Sequence, residues 1–192
     1  MNLDRHGWLR PAPGVRHCPS PNVDTRPEGA QVSLLVIHNI SLPPGEFGGP
    51  HVEGLFTNTL DHGAHPWLER LRGLRVSAHF FVRRDGEVVQ FASTEARAWH
   101  AGVSHFAGRE RCNDFSLGIE LEGTDVLPYT DAQYDALERL AAALRARYPL
   151  VHAMGHEHIA PGRKTDPGPA FDWVRFGQAC EWPRRHLPDL GC

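Results

Sequence analysis

Residues 115–122 read FSLGIELE, and the run alternates cleanly. Phe115, Leu117, Ile119 and Leu121 share one face; Ser116, Gly118, Glu120 and Glu122 share the other. A period of two predicts a strand, and the apolar set predicts the face that meets the core. Upstream, Val32–Ile37 (VSLLVI) is apolar at almost every position, the pattern of a central strand covered on both sides, and His38 falls where that strand is expected to end. Val76 to Val82 and Glu87 to Phe91 flank Arg83-Arg84-Asp85-Gly86. An Asp-Gly pair between two β-rich runs predicts a hairpin. Leu150 to Met154 predicts one more strand, with Gly155 leading into His156.

Helical periods lie between these runs. Val52, Leu55, Phe56 and Leu60 form a short stripe. Asp131 to Tyr148 is the clearest helix: Thr130 and Gln133 fit a capping box, Tyr134, Leu137, Ala141, Leu144 and Tyr148 form its apolar stripe, and Pro149 stops it. Asp172 is placed to cap a last helix running through Phe176. Ser41 to Pro50 (SLPPGEFGGP) can only be a loop. Residues 1–30 read as an irregular N-terminal arm, its 10–30 stretch rich in Pro, Arg and Gly, and residues 177–192 read as a tail without a functional assignment. Strands alternating with helices predict an α/β fold, a central mixed β-sheet flanked by helices, in a single domain over residues 1–192.

A formal net charge of −3 argues against a general nucleic-acid binder, which carries a basic excess. No signal-peptide run follows the charged start MNLDRHGWLR, and no window is long enough to span a bilayer. The expectation is a cytoplasmic protein without a membrane, nucleic-acid or obligatory protein partner. Cys18, Cys112, Cys180 and Cys192 form no C-x-x-C pair, so free thiols are expected in that compartment.

Three segments carry chemistry: Val36-Ile37-His38-Asn39, Gly118-Ile119-Glu120-Leu121-Glu122, and Gly155-His156 through Lys164-Thr165-Asp166. Zinc takes imidazole nitrogen and carboxylate oxygen, and a catalytic zinc keeps three protein ligands and one open position. His38, His156 and Asp166 meet that requirement. Glu120, on the polar face of its strand, is a natural general base, and Lys164 is a cation two residues before Asp166. Spacing leaves alternatives open. His158 competes with His156, His79 and His100 compete as ligands, and Glu122 is expected as a solvated carboxylate. His6, His17, His51, His62, His65, His105, His152 and His186 are read as ordinary histidines.

The runs VIHNISLPPGEFGGP, LRVSAHF, RRDGEVVQ, AWHAGVS, GRERCNDFSLGIELEGTD, YTDAQY and APGRKTDPGPAFDW carry a resemblance that extends from Gly7-Trp8 to Phe176. The chain resembles the AmpD-type 1,6-anhydro-N-acetylmuramyl-L-alanine amidases of peptidoglycan recycling. These belong to the wider N-acetylmuramoyl-L-alanine amidase family, which includes peptidoglycan recognition proteins and phage amidases. The resemblance implies a Zn2+ held by His38, His156 and Asp166, with Glu120 as catalytic acid/base and Lys164 as oxyanion stabiliser. It implies that Asn39, Arg75, Trp99, Arg111 and Ala160 line the site for an anhydro-muropeptide substrate, whose carboxylates suit a guanidinium fork. It chooses His156 over His158 and leaves His79 and His100 as supporting groups. It also implies an influence on β-lactamase induction, through the pool of anhydro-muropeptides.

Overall fold

The computed structural model describes residues 1–189, and its strands follow the apolar runs. In chain order they are β1 (Val15–His17), β2 (Val23–Thr25), β3 (Leu34–Ile40), β4 (Phe80–Val82), β5 (Val88–Gln90), β6 (Ala96–Ala98), β7 (His105–Phe106), β8 (Arg109–Glu110), β9 (Ser116–Glu122) and β10 (His152–Gly155). The α-helices are α1 (His51–Thr57), α2 (Asp131–Arg147), α3 (His156–Ile159) and α4 (Trp173–Ala179). One six-stranded sheet has the order β1-β5-β4-β9-β3-β10. β4, β9, β3 and β10 run parallel, β5 turns back antiparallel to β4, and β1 is parallel to β5. The result is a mixed sheet in a single α/β domain. β2 with β6, and β7 with β8, make two small antiparallel ribbons.

The alternation of β9 sorts the core. Leu117, Ile119 and Leu121 meet Leu35 and Ile37 of β3 under α2 and α4, in one continuous apolar cluster. The other face is also covered, but by two clusters. One gathers Phe81 and Val89 with Val52, Leu55 and Phe56 of α1; the other gathers Leu34 and Val36 with Cys112, Phe115 and Ile159. Phe115 thus packs opposite Leu117's cluster, contrary to the simple alternation. It precedes β9 at the end of a 3-10 turn (Cys112–Asp114), where φ −132° and ψ 15° break the period. The strand of His38 does not end there either: pairing with β9 continues to Ile40.

The hairpin forms between β4 and β5, with Val82 opposite Val88. Gly86 takes φ +85°, and a Cβ there would meet the Ala132 carbonyl oxygen at 2.8 Å. Residues 76–79 leave the expected strand; Ser77 N–H donates to Trp99 and His79 N–H to Gly118. α2 starts on the expected box: Thr130 Oγ1 accepts from Gln133 N–H, and Gln133 reaches back to Thr130 N–H. Asp172 caps α4 by accepting from Arg175 N–H.

The arm is more ordered than its composition suggests. Its VRH and VDT triplets become β1, at the edge of the main sheet, and β2. Backbone pairing carries them, since neither triplet has an apolar alternation to read. The tail also has a structural part, because Trp182 and Leu187 are buried in the α2-side cluster. Cys18, Cys112 and Cys180 are free thiols, and Cys192 lies outside the described residues. No helix among the described residues is long and apolar enough to cross a membrane.

Candidate metal centre

Three neighbouring parallel strands bring the reactive groups together at their C-terminal ends, where open α/β sheets place their sites. His38 on β3 stands directly across from Glu120 on β9. Gly155, the last residue of β10, stands across from Ile37, so His156 follows one step beyond the ladder beside His38. Gly155 is extended (φ −78°, ψ 158°), and the chain then turns at once into α3. Asp166 arrives on the loop after α3, whose course is fixed by Glu157 N–H donating to the Asp166 carbonyl at 2.9 Å.

Nδ1 of His38 and Nδ1 of His156 are 2.9 Å apart, and each is 3.0 Å from Asp166 Oδ2. This is the one group of three His, Cys, Asp or Glu ligand atoms lying within 4.8 Å of one another among the described residues. The far nitrogen of His156, Nε2, lies 3.0 Å from the Ala101 carbonyl. A carbonyl only accepts, so Nε2 carries the proton and Nδ1 presents a lone pair to Asp166 and His38. Burial, reinforced by His156, holds the His38 imidazole down at about 4, so the ring is neutral at pH 7, the form that binds a metal. Electron-rich atoms converging this closely fit a cation between them. Two nitrogens and one carboxylate oxygen match a catalytic zinc with a position left for water.

Glu120 is 9% exposed, and its Oε2 has no hydrogen-bond partner among the described residues. Burial, then the negative charge of Asp166, push its pKa well above the usual carboxylate range; Lys164 pulls the other way. A carboxyl held above the ordinary carboxylate range keeps its proton to higher pH than a free one, the property a general acid/base needs. It opens on a cavity of about 840 Å³ that also reaches His156, Asp166 and Lys164.

Asn39, Arg75 and Trp99 line that cavity. Asn39 Nδ2 donates to Asp125 at 2.8 Å, and Trp99 Nε1 donates to Asp24 at 2.7 Å. Arg111 and Ala160 border an adjoining depression of about 450 Å³, which shares Gly102 and Arg163 with the main cavity. The Arg111 guanidinium is exposed and pairs with Asp114 at 3.3 Å. The rival histidines separate cleanly. His158 Nδ1 accepts from Gly155 N–H, one turn back from the cluster. His79 accepts from Gly118 N–H and is held neutral by burial, at about 3. His100 touches the far side of His38.

Glu122 corrects an expectation. It is not solvated but 3% exposed, and it accepts from Gly48 N–H at 2.6 Å and Arg84 N–H at 3.0 Å. The second face of β9 is covered at that end by loop 41–50 and the hairpin turn, so its carboxylate ties the two together. Arg163 was missed by sequence reasoning. It donates to the carbonyls of Ala101 and Val103, sharing the Ala101 oxygen with His156, and it lines both cavities. Its place immediately before Lys164 was the available signal.

Comparison with known proteins agrees with this geometry. The family model described as N-acetylmuramoyl-L-alanine amidase matches residues 28–169. The chain is 59% identical over 188 residues to the 1,6-anhydro-N-acetylmuramyl-L-alanine amidase AmpD of Citrobacter freundii, covering 97% of this chain and 98% of that protein. A crystal structure of a selenomethionine AmpD derivative superposes with a TM-score of 0.89 at 58% identity, covering 93% of this chain and 99% of that one. The Escherichia coli amidase AmiD, in a structure described as a complex with anhydro-N-acetylmuramic acid-L-Ala-D-γ-Glu-L-Lys, has a TM-score of 0.58 at 30% identity, over 80% of this chain and 60% of that one. The chain therefore belongs to the N-acetylmuramoyl-L-alanine amidase family.

Proposed function

We propose that this chain is a zinc-dependent hydrolase of the amide between 1,6-anhydro-N-acetylmuramic acid and L-alanine in muropeptides, acting in cytoplasmic peptidoglycan recycling. The observation that carries the chemistry is the convergence of His38 Nδ1, His156 Nδ1 and Asp166 Oδ2 on one another, beside a cavity that His156, Asp166 and Glu120 all line and with Glu120 Oε2 unpartnered. The substrate is taken from the name of the relative at 59% identity and from the ligand described with AmiD.

His38, His156 and Asp166 would hold the ion, which when bound supplies a Lewis acid and a water of lowered pKa. Glu120 takes the proton of the attacking water and returns it to the departing amine of L-alanine. The Lys164 ammonium offsets the negative charge that gathers on the carbonyl oxygen. Asn39, Trp99 and Arg75 on the main cavity, with Arg111 and Ala160 on its neighbour, hold the sugar and the carboxylates of the stem peptide. In a host that senses anhydro-muropeptides to induce β-lactamase, this hydrolysis lowers the inducing signal.

The test pairs metal analysis with a substrate comparison. Purified protein is expected to carry one zinc per chain and to release L-alanyl peptide from a soluble anhydro-muramyl tripeptide. The same tripeptide on a reducing muramic acid, and intact wall material, should be poorer substrates. Equal rates on all three would remove the anhydro-sugar and recycling assignment; turnover in protein stripped of all metal would remove the zinc.

A further inference from the structure

The side of His38 that faces away from Asp166 has a chain of contacts of its own. His38 Nε2 lies 2.9 Å from His100 Nδ1, His100 Nε2 lies 3.1 Å from Ser116 Oγ, and Ser116 Oγ lies 2.6 Å from the Cys112 carbonyl oxygen. All three side chains are buried. The last acceptor sets the direction of the whole chain. A carbonyl has no proton to give, so the single proton of Ser116 must point at Cys112. The lone pairs of Ser116 Oγ are then what His100 Nε2 meets, so that nitrogen carries a proton. No carboxylate hydrogen-bonds to His100 among the described residues, and a ring so buried without one holds a single proton. Its Nδ1 is therefore an acceptor, and the proton in the next gap belongs to His38 Nε2. His38 Nδ1 is left bare and faces His156 Nδ1 and Asp166 Oδ2.

We infer that His100 and Ser116 are positioning residues, a one-way hydrogen-bond chain to the Cys112 carbonyl that fixes His38 in the tautomer able to bind a metal through Nδ1. The inference rests on the proposed metal centre and adds to it the groups that preset a ligand before any ion arrives. Two further features hold the chain in place. Asn113 Oδ1 accepts from the backbone N–H of His100 and of Ala101, at 3.2 and 2.8 Å. Gly118, between Ser116 and Glu120 on the same strand face, leaves room for the ring: a Cβ there would sit 2.5 Å from His100 Cγ. The two ligand histidines are thus oriented by different means. His156 leans directly on a main-chain carbonyl, whereas His38 reaches one through two side chains. Outer partners of this kind change metal affinity by about 10- to 100-fold when removed.

The experiment reads the tautomers and the affinity separately. In metal-free wild type, long-range 1H–15N correlation is expected to find both His38 and His100 protonated at Nε2; an Nδ1–H signal on His38 overturns the inference. Zinc affinity is then measured by chelator competition. H100L removes the acceptor and should weaken binding about 10- to 100-fold. H100N, whose Oδ1 falls where Nδ1 was, should recover most of the loss. S116A removes the group that polarises the chain, keeps the ring, and should weaken binding by less while mixing the His100 tautomers. Equal losses in H100L and H100N, or wild-type affinity in H100L and S116A together, would overturn the inference. If H100L fails to fold, the wild-type tautomers and S116A still decide. A wild type with the assigned tautomers that takes up no zinc would refute the metal centre and leave the chain standing.

Discussion

On β3 and β9, residues one step apart face opposite ways into different surroundings. Towards α2, Leu35, Ile37, Leu117, Ile119 and Leu121 form part of one unbroken apolar cluster. Away from α2, the same strands present Leu34 and Val36, then His38, with Ser116, Gly118, Glu120 and Glu122 alongside. There the apolar cover splits into two clusters, and the polar groups occupy the span between them. Both faces are buried, so burial does not distinguish them; satisfaction of the buried groups does. The first face is apolar from Leu35 to Ile37 and from Leu117 to Leu121, and its one polar residue on these strands, Asn39, donates to Asp125 and Pro167; the second carries a carboxyl with an unpartnered oxygen and the His38 corner of three mutually facing ligand atoms. Cohesion is assigned to one side and unsatisfied polar groups to the other, the usual trade between stability and activity.

Substitutions that push the two faces in opposite directions should break or sharpen this contrast. The largest effect is expected on the polar face. Glu120→Gln should lower kcat by about 100- to 10,000-fold with zinc content unchanged, measured by steady-state hydrolysis beside metal analysis. Its Tm should equal or exceed that of wild type, because the amide removes an ionisable group whose charged form burial disfavours; a clear drop in Tm would undo the contrast. Next in size, Leu117→Ala or Ile119→Ala should cost about 2–5 kcal/mol by chemical denaturation and leave kcat of the folded fraction near wild type.

The metal-free protein should also respond to acid through the polar face. His38 and His79 are held near 4 and 3, below the 6.5 of a free histidine, so the unfolded chain binds the extra protons. Their contribution is present above about pH 6.5 and is lost as pH falls towards 4 for His38 and towards 3 for His79. Denaturation midpoints across that window should fall in wild type and fall less in His79→Gln. The smallest effect is expected outside the sheet. Thr130→Ala at the start of α2 should cost about 1 kcal/mol, or about 3 °C in Tm, without altering zinc affinity.

How much of this was legible in the sequence depends on whether a residue's neighbours are near in the chain. The alternation of β9 from Ser116 onward, the Asp-Gly turn and the box at Thr130 and Gln133 are local and are found, although Phe115 falls out of the alternation and residues 76–79 out of the hairpin. The edge strand β1 is not local: three residues, VRH, gain their structure only from β5. Glu122 looked solvated because its cover comes from Gly48 and Arg84, far away in sequence. At the site, residue chemistry put forward two histidines, an aspartate and a nearby glutamate, and the fold brings these side chains together. It could not separate His156 from His158, since both follow the same strand. The structure separates them by a single turn, which aims His158 back at Gly155 N–H. The His100–Ser116 chain was out of reach, because a hydrogen-bond direction depends on its final acceptor.

The ligand atoms also bear on the order in which the molecule assembles. His156 and Asp166 are 10 residues apart, but His38 is 118 from one and 128 from the other. An unfolded chain therefore offers a metal only the nearby pair. The third ligand comes when β3 lies in register against β10, a parallel pairing that requires a long crossover and forms slowly. A one-residue slip in that pairing would turn His38 to the opposite face. Metal uptake would thus act as a check on the finished sheet, stabilising correctly registered molecules by about 2.7 kcal/mol at a hundredfold excess over Kd and leaving misregistered ones without that gain.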